Sequence, residues 1–577
     1  MIKKQEDIKM STKLKFIAAI VLCAGFSFAA SKSIAQNLEI AKSYTLSERF
    51  EDAQNAFEAL LKAQPANGDV FFFYGENFLY EYFSDTVYGS EKASAADALR
   101  YFKSGVAADS NNPICYVGIG KVALMLKDVA EAEKYFAKAQ SKFPSKANKT
   151  STVTPEKQAL TLAKIAEAYV LIERKKNIPK ALVLLEKAVT LDPKNPDIYL
   201  IYGDAYIEGN DGSNAISQYK MAQELNPKSP SAKLRLGNLW IRAKNYTEAI
   251  TYYKEGIDID STFAPAYLEL GKLYSKASQL DKSLYYFKKY DEMSTNISAK
   301  IKYVNVLMES KKYDEAIKKL DEISKSDTSR NDLNRAYAIC YYETTKYDKA
   351  LISSEKFFTK TTPEKIKFVD FSYYGKTLSK NSKDSLAIIA FLKAYDLDTT
   401  NYDVLSDIAA SYNKMKKYKE AAYYYKLKLS KPNEKPRFAD NYKYGMVEYN
   451  LGQTERNIDN WKKSDSTFKV ITEGKPDFMN GKAFFYRAII NSMIDTLNNT
   501  QEAKPLFEKY ITYGVVDSVK NKMELISCYD YLAYQYYKIK DFCNARMYWQ
   551  KMLFLDPKNA KALDLLKETN GKCPTEK

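Results

Sequence analysis

One pattern repeats along this chain at a fixed step. Gly203, Gly237 and Gly271 stand 34 residues apart, as do Ala215, Ala249 and Ser283, and the aromatic residues Tyr219, Tyr253 and Phe287 keep the same spacing. A period of this length belongs to a helix-turn-helix unit stacked in series. Within each unit, a small residue on the first helix and another on the second let two antiparallel helices approach closely, while the flanking aromatics fill the space around them. A single hairpin cannot bury its apolar face alone. Stacking many makes one long core with contacts between neighbours only, and winds the array into a superhelix with an inner groove.

The template is clearest from Pro196 to Lys228, where Tyr199, Tyr202-Gly203, Tyr206, Ala215, Tyr219, Ala222 and Pro227 resemble the consensus of the tetratricopeptide repeat family. The resemblance implies an all-α fold: an α-solenoid, a right-handed superhelix of about fourteen hairpins closed by a polar-backed capping helix near Asn559 to Thr569. The repeats divide into an N-terminal group over 36–144, a Ser, Thr, Lys and Asn-rich loop or hinge over 145–156, and a central array over 157–429. A linker over 430–440, containing Pro432 and Pro436, precedes the C-terminal repeats and cap over 441–577.

Residues 1–35 read as a processing segment. Lys13 and Lys15 precede an apolar run from Phe16 to Ala30, and Ser33-Ile34-Ala35 supplies the small residues a signal peptidase needs before Gln36. The run is short for a membrane helix, and an uncleaved anchor is the alternative. Cys23 is preceded by Ile20 and Leu22 where a lipoprotein signal has leucine and a small residue, so it reads as part of the apolar stretch. The expectation is export to the periplasm or cell envelope of a Gram-negative bacterium.

The chain of 577 residues contains no histidine. That removes the usual general base near neutral pH and a common transition-metal ligand, and no Gly-rich phosphate loop, HExxH or CxxC stands in its place. The reading is non-catalytic, with no cofactor and no metal. The net charge is +16; residues 1–35 hold six lysines against Glu6 and Asp7, so about +12 stays on the mature chain. This excess is Lys-dominated and spread through nearly every repeat, unlike an Arg-rich nucleic-acid stripe, so nucleic acid is not an expected partner.

Five cysteines remain after residue 35: Cys115, Cys340, Cys528, Cys543 and Cys573. An odd number cannot pair completely within one molecule. Cys528 with Cys543 and Cys543 with Cys573 are rival pairings, against isolated buried thiols. Tyrosine is abundant, with 48 copies. Doublets such as Tyr252-Tyr253 and the triplet Tyr423-Tyr424-Tyr425 cannot place every ring on one helix face, so some rings are exposed.

The family resemblance places ligands in the inner groove, lined by the first helix of each unit. Projected onto this chain, that face carries Arg235, Asn238 and Arg242 from one unit and Lys272 and Lys276 from the next, continued by Lys376, Lys380 and Lys414 and interrupted by Glu309 and Glu343. This basic stripe suits an acidic segment of a protein or peptide partner, or forms a solvated face. The family's carboxylate clamp is incomplete, because Leu234 stands where its leading lysine would be. A separate pattern, Asp followed by Ser or Thr and then by an apolar residue or Thr, recurs in segments read as loops. It marks Thr86, Ser261, Ser385, Thr399, Ser466, Thr496 and Ser518, and resembles an O-glycosylation acceptor of some Gram-negative bacteria; the same residues serve as turn and cap formers. The function expected is an exported scaffold or adaptor, with a possible membrane-associated complex. The alternative is a glycan-binding or polysaccharide-secretion accessory module.

Overall fold

The computed structural model describes residues 37–573, apart from 85–89, 147, 174–176, 295, 327–329, 331–332, 433–436 and 499–501. The processing segment and Thr86 therefore lie outside the described residues. The chain forms two compact units that divide at Thr328 and Ser329. Among the described residues, secondary structure is helical throughout, and successive helices pair as hairpins, as the repeat pattern requires. The hinge and linker expected over 145–156 and 430–440 overlap the starts of the helices Pro155–Ala168 and Phe438–Glu455, and fall inside the first and the second unit respectively.

The first unit holds eight hairpins among its described residues, from one made by the helices at 37–46 and Phe50–Ala63 to one made by Ile297–Glu309 and Tyr313–Ser326. The second holds six, from Leu333–Glu343 with Tyr347–Lys360 to Lys522–Lys538 with Phe542–Leu555, followed by the short helix Ala560–Glu568 where the cap was expected.

The repeated glycine works by contact. A Cβ built on Gly203 would stand 2.2 Å from the Tyr219 ring, on Gly237 2.4 Å from Tyr253, and on Gly375 2.5 Å from Phe391. These separations are far inside van der Waals distance, so each ring packs against the helix backbone itself. Gly237→Val is expected to destabilise the first unit by about 1–3 kcal/mol through overpacking, read as a lower urea midpoint. An unchanged midpoint would show that Tyr253 can move aside freely. At Ser283, where neighbouring units carry Ala215 and Ala249, the hydroxyl donates to the Gly271 carbonyl at 3.0 Å, so the third copy substitutes a hydrogen bond for a methyl contact.

In the hairpins whose inner turn is described, the left-handed position is held by a residue other than glycine. Lys127, Asn210, Lys244, Ser278, Lys311, Thr345, Ser382 and Lys416 all adopt positive φ, between 56° and 67°. Each is followed by a residue whose N–H reaches back five positions, as Asp211 does to the Tyr206 carbonyl at 2.8 Å and Asn245 to Trp240 at 2.9 Å. This is a Schellman-type stop. Asp211 and Asn245 then cap the next helix, accepting from the N–H groups of Asn214 and Glu248.

Of the cysteines, Cys543 and Cys573 form a disulfide, while Cys115, Cys340 and Cys528 are buried thiols. The pairing of Cys528 with Cys543 is thereby excluded, and the all-thiol reading holds for three of the five. The tyrosine runs split by face as expected. Tyr425 is buried while Tyr423 is exposed, and Tyr253 is buried under Gly237.

Candidate functional site

The candidate basic stripe in the first unit lies on helices Ser231–Arg242 and Ala264–Lys276, and most of its charge is already met. Arg235 places Nε 2.8 and 3.0 Å from the two carboxylate oxygens of Asp204, one repeat earlier, and Asp204 also accepts the Tyr219 hydroxyl at 2.8 Å. Burial works against the charge on Arg235, but the Asp204 carboxylate outweighs it and holds the guanidinium firmly protonated. Arg242 pairs with Glu208 at 3.0 Å and donates to the Ile207 carbonyl at 3.2 Å. Asn238 accepts the Tyr253 hydroxyl at 2.6 Å. Together Arg235, Asn238 and Arg242 border a hollow of about 430 Å³, whose apolar wall includes Val170 and Leu171 from the π-helical turn Tyr169–Glu173.

Lys272 and Lys276 border a different hollow, of about 370 Å³. Ile241, Ile250, Leu273, Tyr246 and Tyr274 line it, so its wall is mainly apolar. Lys272 pairs with Glu269 at 2.7 Å, whereas Lys276 has no ion-pair partner among the described residues. This hollow therefore offers an apolar seat with a free ammonium at its edge. In the second unit, Lys376 sits over the Tyr373 ring and Lys380 over Tyr347, while Lys414 donates to the Ser379 hydroxyl at 2.7 Å.

A larger constellation in the first unit went unrecognised in the sequence. On the inner faces of three consecutive hairpins, Lys121 Nζ lies 2.7 Å from Glu76 and 2.8 Å from Glu167, and Lys164 Nζ lies 3.1 Å from Glu76 and 2.9 Å from Glu167. The Tyr80 hydroxyl donates to Glu167 at 2.7 Å. Lys121 is 1% exposed and Glu76 2%. Burial opposes ionisation of Glu167, but the two ammonium groups prevail and hold its carboxyl well below the usual range. A signal for this ladder was present. Each member of the set Glu76, Lys121, Glu167, Asp204, Asn238 and Lys272 directly follows the small residue of its first helix.

These inner charges are covered by the chain itself. The helix at 37–46 lies against them, with Lys42 Nζ 3.5 Å from Asp197 and the Thr45 hydroxyl donating to Asn77 at 2.7 Å. Lys42, Thr45 and Leu46 close a small hollow, about 60 Å³, with Glu76, Lys164 and Arg235.

The acceptor-like Asp-Ser/Thr sites fall in unlike settings. Ser261, Thr399 and Ser518 lie in turns; Ser385 is in the first turn of Asp384–Leu397; Ser466 and Thr496 are inside the helices Ile458–Gly474 and Lys482–Asn498. The loop placement thus fails for Ser385, Ser466 and Thr496, whose Asp belongs to a helix. At Asp260 and Asp398 the aspartate has turn-forming work, accepting the N–H and hydroxyl of the Thr two positions on.

Tetratricopeptide repeat profiles match residues 174–236, 38–79 with 92–147, and 230–263. With the paired-helix array, they define the class: the chain is a tetratricopeptide repeat protein, of a fold that serves as a protein-binding scaffold. It is similar to the C-terminal part of a TPR repeat-containing protein from Cytophaga hutchinsonii, at 32% identity over 46% of this chain and 98% of that one, with a TM-score of 0.41. It is also similar to a tetratricopeptide repeat protein from Parabacteroides merdae, at 17% identity over 51% of this chain and 97% of that one, TM-score 0.24. A third similar structure is YrrB, described as a TPR protein with an unusual peptide-binding site, at 18% identity over 37% of this chain and 95% of that one, TM-score 0.22. Comparison with curated protein sequences finds no match.

Proposed function

We propose that this protein is an exported, non-catalytic scaffold that holds segments of partner proteins in a cell-envelope complex, and that in the first unit the seat is the hollow edged by Lys272 and Lys276. The observation that carries the reading is the pairing of an apolar wall with a cation, Lys276, that has no ion-pair partner among the described residues. Arg235 and Arg242, by contrast, have their carboxylates at hand. A segment with an apolar side chain next to Asp or Glu satisfies both features of the hollow. Export is supported by the apolar run after Lys13 and Lys15 and by the Cys543–Cys573 disulfide, a bond that persists in oxidising compartments. Among the described residues no helix is long and apolar enough to cross a membrane.

The test is crosslinking and pull-down from the envelope fraction, with Lys276→Glu beside the wild type. A defined protein partner is expected, with recovery falling about tenfold in the variant as one charge-assisted contact is lost and reversed. Equal recovery would remove this hollow as the seat. Retention on polysaccharide with no protein partner would overturn the scaffold reading itself.

A further inference from the structure

The first unit bends until its beginning meets its seventh hairpin. The turn between the helices at 37–46 and Phe50–Ala63 delivers Glu48 to the Tyr290 hydroxyl, which donates to its carboxylate. Ser294 donates through its hydroxyl to the Glu48 carbonyl at 3.1 Å, and Asn296 donates to the Ser84 hydroxyl at 2.8 Å. These contacts join residues more than 200 positions apart. The groups facing the carboxylate are Tyr290, the ammoniums of Lys302 and Lys272, and the carboxylate of Glu269.

The two ends of this hairpin are held by unlike forces. Its body is anchored by apolar burial, since Ala41, Phe50, Ala53 and Phe57 belong to the same core as Phe72, Phe73 and Tyr74. Its turn is joined across the unit by the hydrogen bonds named above. Apolar burial is broad and non-directional, whereas a few hydrogen bonds to a half-buried carboxylate are exchangeable for water at small net cost. Burial also pushes the Glu48 carboxyl up from its usual range, against the hydrogen bond from Tyr290 and the nearby lysines. Desolvation thus offsets part of what these contacts contribute to holding the ionised carboxylate.

We propose that the Glu48 turn is a reversible clasp: it binds the Tyr290–Ser294 face as an internal ligand, closes the first unit on itself, and opens as a body while its own hairpin stays folded. The solenoid allows this, because small rotations per repeat add along the array. Opening withdraws a carboxylate from beside Lys272 and Lys302. That places the clasp next to the hollow assigned above to an acidic partner segment; this link alone rests on the proposed function.

Hydrogen exchange of the full chain tests the clasp without any partner, so failure of the scaffold reading would leave the result intact. In Glu48→Lys, which removes the acceptor for Tyr290 and sets a third cation beside Lys272 and Lys302, amides in 44–49 and 290–299 are expected to exchange together, about tenfold faster or more. Residues 196–228 should exchange as in the wild type. Glu48→Gln, which keeps the shape without the charge, should stay at least as protected as the wild type. Ser294→Ala is the milder probe, with a smaller rise confined to the same two segments. Unchanged exchange at 290–299 in Glu48→Lys would overturn the proposal. A rise spread evenly over all eight hairpins in Ser294→Ala would also overturn it, showing a fixed structural seam.

Discussion

Replacing Lys121 with methionine is expected to destabilise the first unit by about 3–5 kcal/mol, because it strands two buried carboxylates that share that ammonium. Lys121 Nζ lies 2.7 Å from Glu76 and 2.8 Å from Glu167, and both acids are almost wholly buried. Lys164 would remain as the single cation for two charges. The double variant Lys121→Met with Glu76→Gln restores the one-to-one balance and should recover part of the loss, a coupling that simple loss of packing volume would not produce. Urea denaturation gives the magnitude, and hydrogen exchange over 68–173 gives the place. Equal stability of Lys121→Met and wild type would mean that water reaches the site.

The same network sets a pH window. Glu167 has a folded carboxyl held below its unfolded value, so its contribution is complete above the usual carboxylate range, near 4.3, and is lost as pH falls through and below it. Lys164 is shifted the other way. Burial opposes its charge, but Glu167, Tyr80 and Glu76 more than compensate and raise it well above the usual range. Its contribution is present at every pH below the usual lysine value, about 10.4, and is lost only as pH rises through the raised one. The first unit should therefore hold a stability plateau from about pH 5 to 10, and Lys121→Met should shrink both its height and its acid edge.

The fold was legible because its information is periodic. Gly203, Gly237 and Gly271 announce both the step and the packing partner, since each requires an aromatic residue sixteen positions on, and Tyr219, Tyr253 and Phe287 supply it. The turns were less visible. Their left-handed positions are occupied by Lys127, Asn210, Lys244 and Ser278, where the usual cue would be glycine. The candidate groove residues Arg235, Asn238, Arg242, Lys272 and Lys276 lie on the first helices of their units, but their state was hidden, because pairing spans repeats. Arg235 is neutralised by Asp204 at a separation of 31 positions, and Arg242 by Glu208 at 34, so a face that looks basic within one unit is balanced by the preceding one. Nor could a period of 34 reveal that the helix at 37–46 lies across later repeats, because that contact depends on the curvature accumulated over several units.

Cys573→Ser is expected to cost the end of the second unit about 3–4 kcal/mol, the loop-closure value for a bridge spanning this many residues. The bond joins Cys543, at the start of the last hairpin's second helix, to Cys573 beyond the capping helix, with a sequence separation of 30. A solenoid is weakest at its ends, where the last repeat has a neighbour on one side only. Here the cap covers that open side. Ala562 is fully buried on the last hairpin, and Arg546 donates to the Leu566 carbonyl at 2.6 Å and to the Thr569 hydroxyl at 3.2 Å. These contacts belong to a helix of nine residues, too short to be stable alone, so the covalent tie is what keeps it in register. Cys573→Ser should therefore speed exchange over 522–573 while leaving the first unit unchanged. A thiol reductant should bring the wild type to the same level and leave the variant where it is. If reductant moves neither, the cap is held by packing and the disulfide is incidental. If the expected difference appears, the array is complete only where its last two cysteines can oxidise, which ties the integrity of the C-terminal repeats to the compartment that the segment before Gln36 is read to reach.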